Sequence, residues 1–173
     1  MTADLSDRFG PVALGAEAGR QAFRDAMACL PAPVTIVTTV DEHGAPCGFT
    51  ASAVCSLSLD PPLVMVSVSR TSSCFDALAK ASHFVVNVLG RDHDALATRF
   101  ATSGIDRFSG GELVSPGEGL PAHLPDALAS LWCANHECIS AGDHVIVVGR
   151  VADAVARPGD PLVWHQRGYL TTR

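Results

Sequence analysis

Three short stretches carry the side chains that could do chemistry. The segment Gly48-Phe-Thr-Ala-Ser-Ala-Val-Cys-Ser-Leu-Ser-Leu-Asp-Pro-Pro62 loads one strand with small hydroxyl residues, Thr50, Ser52, Ser56 and Ser58. Small side chains let main-chain N–H groups approach a flat polar ring; the same residues also fit an edge strand with one polar face. Next comes Arg70-Thr-Ser-Ser73, just ahead of a helical pattern. A helix start offers free N–H groups and a favourable dipole to a phosphate, with Arg70, Ser72 and Ser73 as added donors. An ordinary N-cap is the plainer use of such serines. The third stretch, Gly142-Asp-His144, sits in a tight turn that begins a strand. A histidine there is either a plain turn residue or a substrate contact at a barrel mouth.

Other familiar patterns fall away on context. Gly117-Glu-Gly-Leu-Pro-Ala122 matches G-x-G-x-x-A by letters, but Pro116, Pro121 and Pro125 surround it. No strand enters it and no helix leaves it, so it is not a dinucleotide fingerprint. No G-x-x-x-x-G-K-[ST] loop is present. In Cys133-Ala-Asn-His-Glu-Cys138, strand alternation sends Cys133 and Cys138 to opposite faces, so a metal site is not expected.

The elements that must hold these residues follow from hydrophobic spacing. A helix is predicted over 17–30, with Phe23, Met27 and Leu30 on one face together with Ala26, stopped by Pro31 and Pro33. Strands are predicted over 34–40, 47–59, 63–68, 84–89, 128–139, 145–155 and 162–170. Short helices are predicted over 72–81, with a Ser73/Asp76 capping box, and over 92–101. Residues 102–127 are rich in Gly, Ser and Pro and read as irregular. The strands follow one another through turns without a βαβ rhythm, which predicts an antiparallel barrel with helical insertions.

Composition sets the outer limits. The chain has 173 residues, 47% of them hydrophobic and 17% charged. That suits one domain with a substantial core, predicted over 17–173 behind a loose leader at 1–16. Low surface charge hints at a further buried face, as in a homo-oligomer. The net charge is -6 and the basic residues form no cluster, against a nucleic-acid partner. The polar start MTADLSDRFG and the lack of any apolar run near 20 residues argue against a signal peptide and a membrane span. A cytoplasmic protein is expected, with its six cysteines as free thiols.

Taken together, the segments resemble the short-chain flavin reductase family, which supplies reduced flavin to two-component monooxygenases. The matching pieces are Gly48-Phe-Thr-Ala-Ser52, Ser56-Leu-Ser-Leu-Asp-Pro-Pro62, Phe84-Val-Val-Asn-Val-Leu89, Arg99-Phe100 with Arg107-Phe108, and Gly142-Asp-His-Val145 with Gly149. They run in family order from about Phe23 to Tyr169. The resemblance implies a mainly β protein with short helices, a split β-barrel of the flavin reductase kind, working as a homodimer. It implies that Thr50, Ala51, Ser52 and Ala53 border the isoalloxazine ring, with Cys55 and Ser56 near the ribityl chain. Arg70, Ser72 and Ser73 would hold phosphate; His83, Asn87, Val88, Leu89 and Phe108 would line the rest of the flavin. Asp143, His144 and Tyr169 would lie where the nicotinamide nucleotide docks, His144 orienting its carboxamide. The implied activity is reduction of free flavin by NADH, or alternatively NADPH. FAD is favoured over FMN, and reduced flavin passes by diffusion to a separate oxygenase in secondary metabolism. A flavin- or haem-binding barrel without reductase activity is the alternative, and a self-contained oxidase a third reading.

Overall fold

Runs of β-branched residues become the strands. A computed structural model describes residues 17–170, so the leader expected at 1–16 lies outside the described residues. Helix α1 spans Glu17–Ala28. It is followed by β1 (Ala32–Pro33), β2 (Thr35–Val40), β3 (Pro46–Ala51), β4 (Val54–Leu59) and β5 (Pro62–Ser69). Then come α2 (Phe75–Lys80), β6 (His83–Val88) and α3 (Asp94–Ala101). Two long strands, β7 (Ala129–Ala141) and β8 (His144–Ala156), precede the short β9 (Val163–His165) and β10 (Gly168–Leu170).

Seven strands form one sheet in the order β3-β2-β6-β7-β8-β5-β4, every neighbour antiparallel. The two edge strands, β3 and β4, are consecutive in the chain yet form no ladder with each other. Ser52 and Ala53 join them, and the Ala53 carbonyl accepts from Ser67 N–H at 3.0 Å. This is the split of the expected barrel. On β5, Val64, Val66 and Val68 alternate inward. They meet Phe84, Val86 and Cys133 in a core inside the curled sheet, closed at one end by Leu78 of α2.

A second core lies outside the sheet, where α3 places Leu96, Ala97 and Phe100 against Ile36 and Val34. Strand β2 therefore has apolar neighbours on both faces and is buried from Thr35 to Thr39. That is why it reads as a β-branched run without polar alternation. Asn87 on β6 ties this layer together. Its Nδ2 donates to Ile36 O at 3.1 Å, and its Oδ1 accepts from Leu124 N–H at 2.9 Å and Ser130 Oγ at 3.2 Å.

Four local expectations change. The strand predicted over 47–59 is two strands, broken at Ser52–Ala53. The one predicted over 162–170 is a hairpin, turning at Gln166 and Arg167, whose φ values are 48° and 65°. The helix predicted over 72–81 shrinks to Phe75–Lys80, and its N-cap is Cys74 with no side-chain cap. Ser72 Oγ instead accepts from Cys74 N–H at 3.2 Å, so the Ser73/Asp76 capping box does not form. Phe23, Met27 and Leu30 share a face of α1, as the spacing predicts, and are 57%, 48% and 57% exposed there. The helix is held at its end by polar contacts, Gln166 N–H to Ala28 O and the Arg167–Asp25 ion pair.

Candidate active site

Strand β3 presents Gly48 toward α3, and two phenylalanines make that position a glycine. A Cβ there would come within 2.8 Å of Phe100 Cε1 and 3.1 Å of Phe108 Cζ. The two rings pack edge-to-face at 5.1 Å. Beside them a groove of about 310 Å³ opens, lined by Cys47, Gly48, Ser73, Cys74, Arg107 and Phe108, among others. Arg107 is pinned at its rim: Nε donates to Thr102 O at 2.9 Å and Nη1 to Gly48 O at 2.8 Å. Nη1 also lies 3.4 Å from Ser73 Oγ. A half-buried guanidinium with its fork fixed by main-chain carbonyls, next to a serine hydroxyl, is a donor set that suits a phosphate.

The β7–β8 turn forms a second cluster. Gly142 takes a φ of 63°, the left-handed conformation that a tight turn needs. His144 Nδ1 and Asp143 Oδ1 are 2.7 Å apart. With Nδ1–H donated to the carboxylate, Nε2 is the nitrogen left to meet a ligand. The hydrogen bond from His144 holds the Asp143 carboxyl below its ordinary value. A depressed carboxylate pKa means that the contact is fully present at neutral pH and is lost only as the pH falls through the lowered value. Arg70 belongs to this cluster: its N–H donates to Asp143 O at 3.0 Å and its Nη2 to Ser140 Oγ at 2.8 Å, with its guanidinium over Phe75. Arg70 and Ser73 are three residues apart, so the two clusters lie within about 11 Å along the chain.

The remaining expected residues distribute over several places. Thr50 donates Oγ1 to Ala97 O of α3 at 2.6 Å, and Ala51 is buried with its carbonyl accepting from Thr35. Ser52 and Ala53 are exposed at the split. Cys55, Ser56 and Val88 line an apolar groove of about 370 Å³ beside Thr35, Val54 and Leu131. Tyr169 packs edge-to-face on Trp164 at 5.0 Å, its hydroxyl 3.5 Å from Thr98 Oγ1. His83 lies elsewhere, in a polar pocket with Asp41, His43, Asp76 and Lys80. Asn87 and Leu89 are both 0% exposed, and the Asn87 amide is spent on protein partners. These two side chains frame the site and have no open face for a ligand. Arg107, by contrast, was expected only as part of a sequence pattern; the Arg99-Phe100 and Arg107-Phe108 repeat was the signal that could have marked it.

Among the described residues no helix is long and apolar enough to cross a membrane. A match to the family described as flavin reductase like domain covers residues 27–173. The chain is 49% identical over 158 residues to the NADH:riboflavin 5'-phosphate oxidoreductase of Streptomyces pristinaespiralis, covering 88% of each. Its fold is similar to an NADH:FAD oxidoreductase of Streptomyces globisporus C-1027, solved with NAD and FAD fragments, at TM-score 0.82 and 29% identity over 91% of this chain and 95% of that one. It is also similar to the flavin reductase component of a bacterial two-component tryptophan halogenase, at TM-score 0.80 and 29% identity over 87% and 96%. The chain belongs to the flavin reductase family, and the activity that goes with this membership is oxidoreduction between a nicotinamide nucleotide and a flavin.

Proposed function

We propose that the protein reduces free flavin with NADH in the cytoplasm and releases it, by diffusion, to a separate oxygenase. The observation that carries this reading is the pinned Arg107 beside Ser73, a short turn away from the Asp143–His144 pair. Flavin phosphate is assigned to Arg107 and Ser73. The ring is assigned to Thr50 and Ala51 at the end of β3 and to Ser52 and Ala53 just beyond it, with Cys55 and Ser56. Gly48 and Ala51 are three residues apart on one strand, roughly 10 Å at a strand's rise, a length scale that suits a ring with a phosphorylated side chain. Arg70, Asp143, His144 and Tyr169 are assigned to the nicotinamide nucleotide.

The two bound cofactors supply the redox chemistry between them. What the chain does is position. Arg107 fixes the phosphate end and so the register of the ring along β3. Asp143 holds the His144 imidazole in one orientation, leaving Nε2 to accept from an amide N–H. His144→Ala is expected to lower kcat/KM for NADH by about 2- to 10-fold, the value of one neutral hydrogen bond, while flavin affinity holds. Equal losses in both would move His144 to the flavin side.

The sequence reading favours FAD. The names of similar proteins divide, with FMN at 49% identity and FAD at 29%. The higher identity supports FMN as the preferred flavin, with FAD also accepted. Steady-state rates with FMN, FAD and riboflavin, each against NADH and NADPH, test this choice. FMN with NADH is expected to give the highest kcat/KM; a clear FAD or NADPH preference would reverse it.

A homodimer belongs to the same proposal. Phe23, Met27, Leu30, Trp164 and Leu170 are exposed apolar residues, more than a monomer's surface needs. Sedimentation is expected to give a dimer at micromolar protein, and a monomer would remove that part of the account.

A further inference from the structure

The groove beneath Arg107 contains a feature that flavin reduction does not use. Two of the six cysteines, Cys47 and Cys74, line it together. Cys74 of the loop before α2 faces β3 at the residue that follows Cys47. Cys74 is buried and its Sγ lies 3.2 Å from Gly48 O. Arg107 Nη1 is 3.3 Å from that same sulfur. Cys133 is sealed in the inner core, and Cys29, Cys55 and Cys138 are exposed and apart.

We propose that Cys47 and Cys74 form a peroxide-sensitive dithiol whose closure to a disulfide lowers flavin turnover. The oxidant is hydrogen peroxide, which forms when reduced flavin meets dioxygen before reaching a partner. The Cys74 thiolate attacks one peroxide oxygen, the O–O bond breaks, and water leaves with the proton, giving a sulfenic acid. Arg107 supplies the cation against which negative charge on that sulfur is held. The Cys47 sulfur then attacks Cys74 Sγ, the S–O bond breaks, and a second water leaves. Two thiols have been oxidised by two electrons and one peroxide reduced to two waters. Burial and the neighbouring Cys74 push the Cys47 thiol up, which suits the partner that waits for the sulfenic acid.

Closure draws Cys74 Sγ away from Gly48 O and Arg107, and so loosens the donor set assigned above to flavin phosphate. This effect on turnover rests on that assignment; the disulfide itself does not. The test takes the full chain, fully reduced, and first measures its NADH:FMN activity, which reports on the reductase reading alone. The enzyme is then treated with hydrogen peroxide, quenched with catalase, assayed again and mapped by non-reducing peptide mass spectrometry. The expected result is a Cys47–Cys74 cross-link, lighter by two hydrogens. With it should come a roughly tenfold fall in kcat/KM for FMN, the scale of one charge-assisted contact, reversed by dithiothreitol. Cys133, its thiol pushed by burial up to about 12, should stay reduced and serves as the internal control. Cys47→Ser should trap the Cys74 sulfenic acid as a dimedone adduct and form no cross-link. If Cys47 and Cys74 remain free thiols while the exposed cysteines oxidise, the proposal is overturned. A cross-link with unchanged turnover would overturn its regulatory half, with the reductase reading already settled by the first assay.

Discussion

Replacing Arg107 by methionine should raise KM for FMN by roughly 10- to 100-fold and leave KM for riboflavin within about twofold. The asymmetry follows from what the guanidinium touches. Nε and Nη1 are committed to Thr102 O and Gly48 O, which fix the fork before any ligand arrives. Among the described residues Nη2 has no protein acceptor. It is the nitrogen assigned to an anion, and a charge-assisted hydrogen bond contributes about 1.5–3 kcal/mol. Methionine keeps most of the side-chain bulk while removing every donor. Riboflavin lacks the phosphate and therefore reports the structural part of Arg107 alone. If KM rises equally for both flavins, Arg107 is a brace between Thr102 and Gly48, and the phosphate belongs elsewhere. The thermal midpoint of the variant, measured alongside, separates a weakened fold from a weakened site.

Gly149→Ala should cost the fold about 1–3 kcal/mol or more and lower the thermal midpoint by several degrees. Strand β8 passes Gly149 directly over the inner core, opposite Val64 and Asn135. A Cβ there would stand 2.3 Å from Phe84 Cζ and 2.9 Å from Cys133 Cβ. Phe84 is fully buried, so its ring has nowhere to turn. A midpoint within one degree of the parent would show that the ring can yield. The same ring explains a rescue: Phe84→Leu in the Gly149→Ala background frees the volume and should recover part of the loss. Additive losses in the double variant would argue against the clash.

These two residues also show what the sequence could and could not tell. Gly149 stands out in sequence as part of a family pattern, but the reason for it, a phenylalanine two strands away, needs the register of β6, β7 and β8. Strand identities were legible wherever β-branched residues run together, as in Thr35–Val40 and Phe84–Val88. The breaks that failed to show are made by residues without turn chemistry. Ser52 and Ala53 split one predicted strand, and Gln166 and Arg167 fold another into a hairpin at positive φ where Gly or Asn would have announced it. Helix α1 displays the predicted apolar face, yet spacing says only that a face exists, not what covers it.

The site was legible as a set of segments and not as a set of contacts. The Gly142-Asp-His144 turn holds its pair together as a turn with a left-handed glycine allows. Asn87 enters the expected flavin lining through the family resemblance alone. The structure gives that polarity another use, joining Ile36, Leu124 and Ser130 in a layer where an unpaired amide would be costly. Arg107 lay in a loop 59 residues from the carbonyl it holds, and only the fold brings it to Gly48.

The central claim is that this chain passes reducing equivalents from NADH to a flavin. The most direct measurement mixes the purified protein with FMN and excess NADH under anaerobic conditions and follows the flavin absorbance. The account predicts rapid bleaching at catalytic protein concentrations, with FAD bleached as well and the flavin colour returning on admission of air. Flavin that stays yellow with both FMN and FAD, in the presence of folded protein, would contradict it.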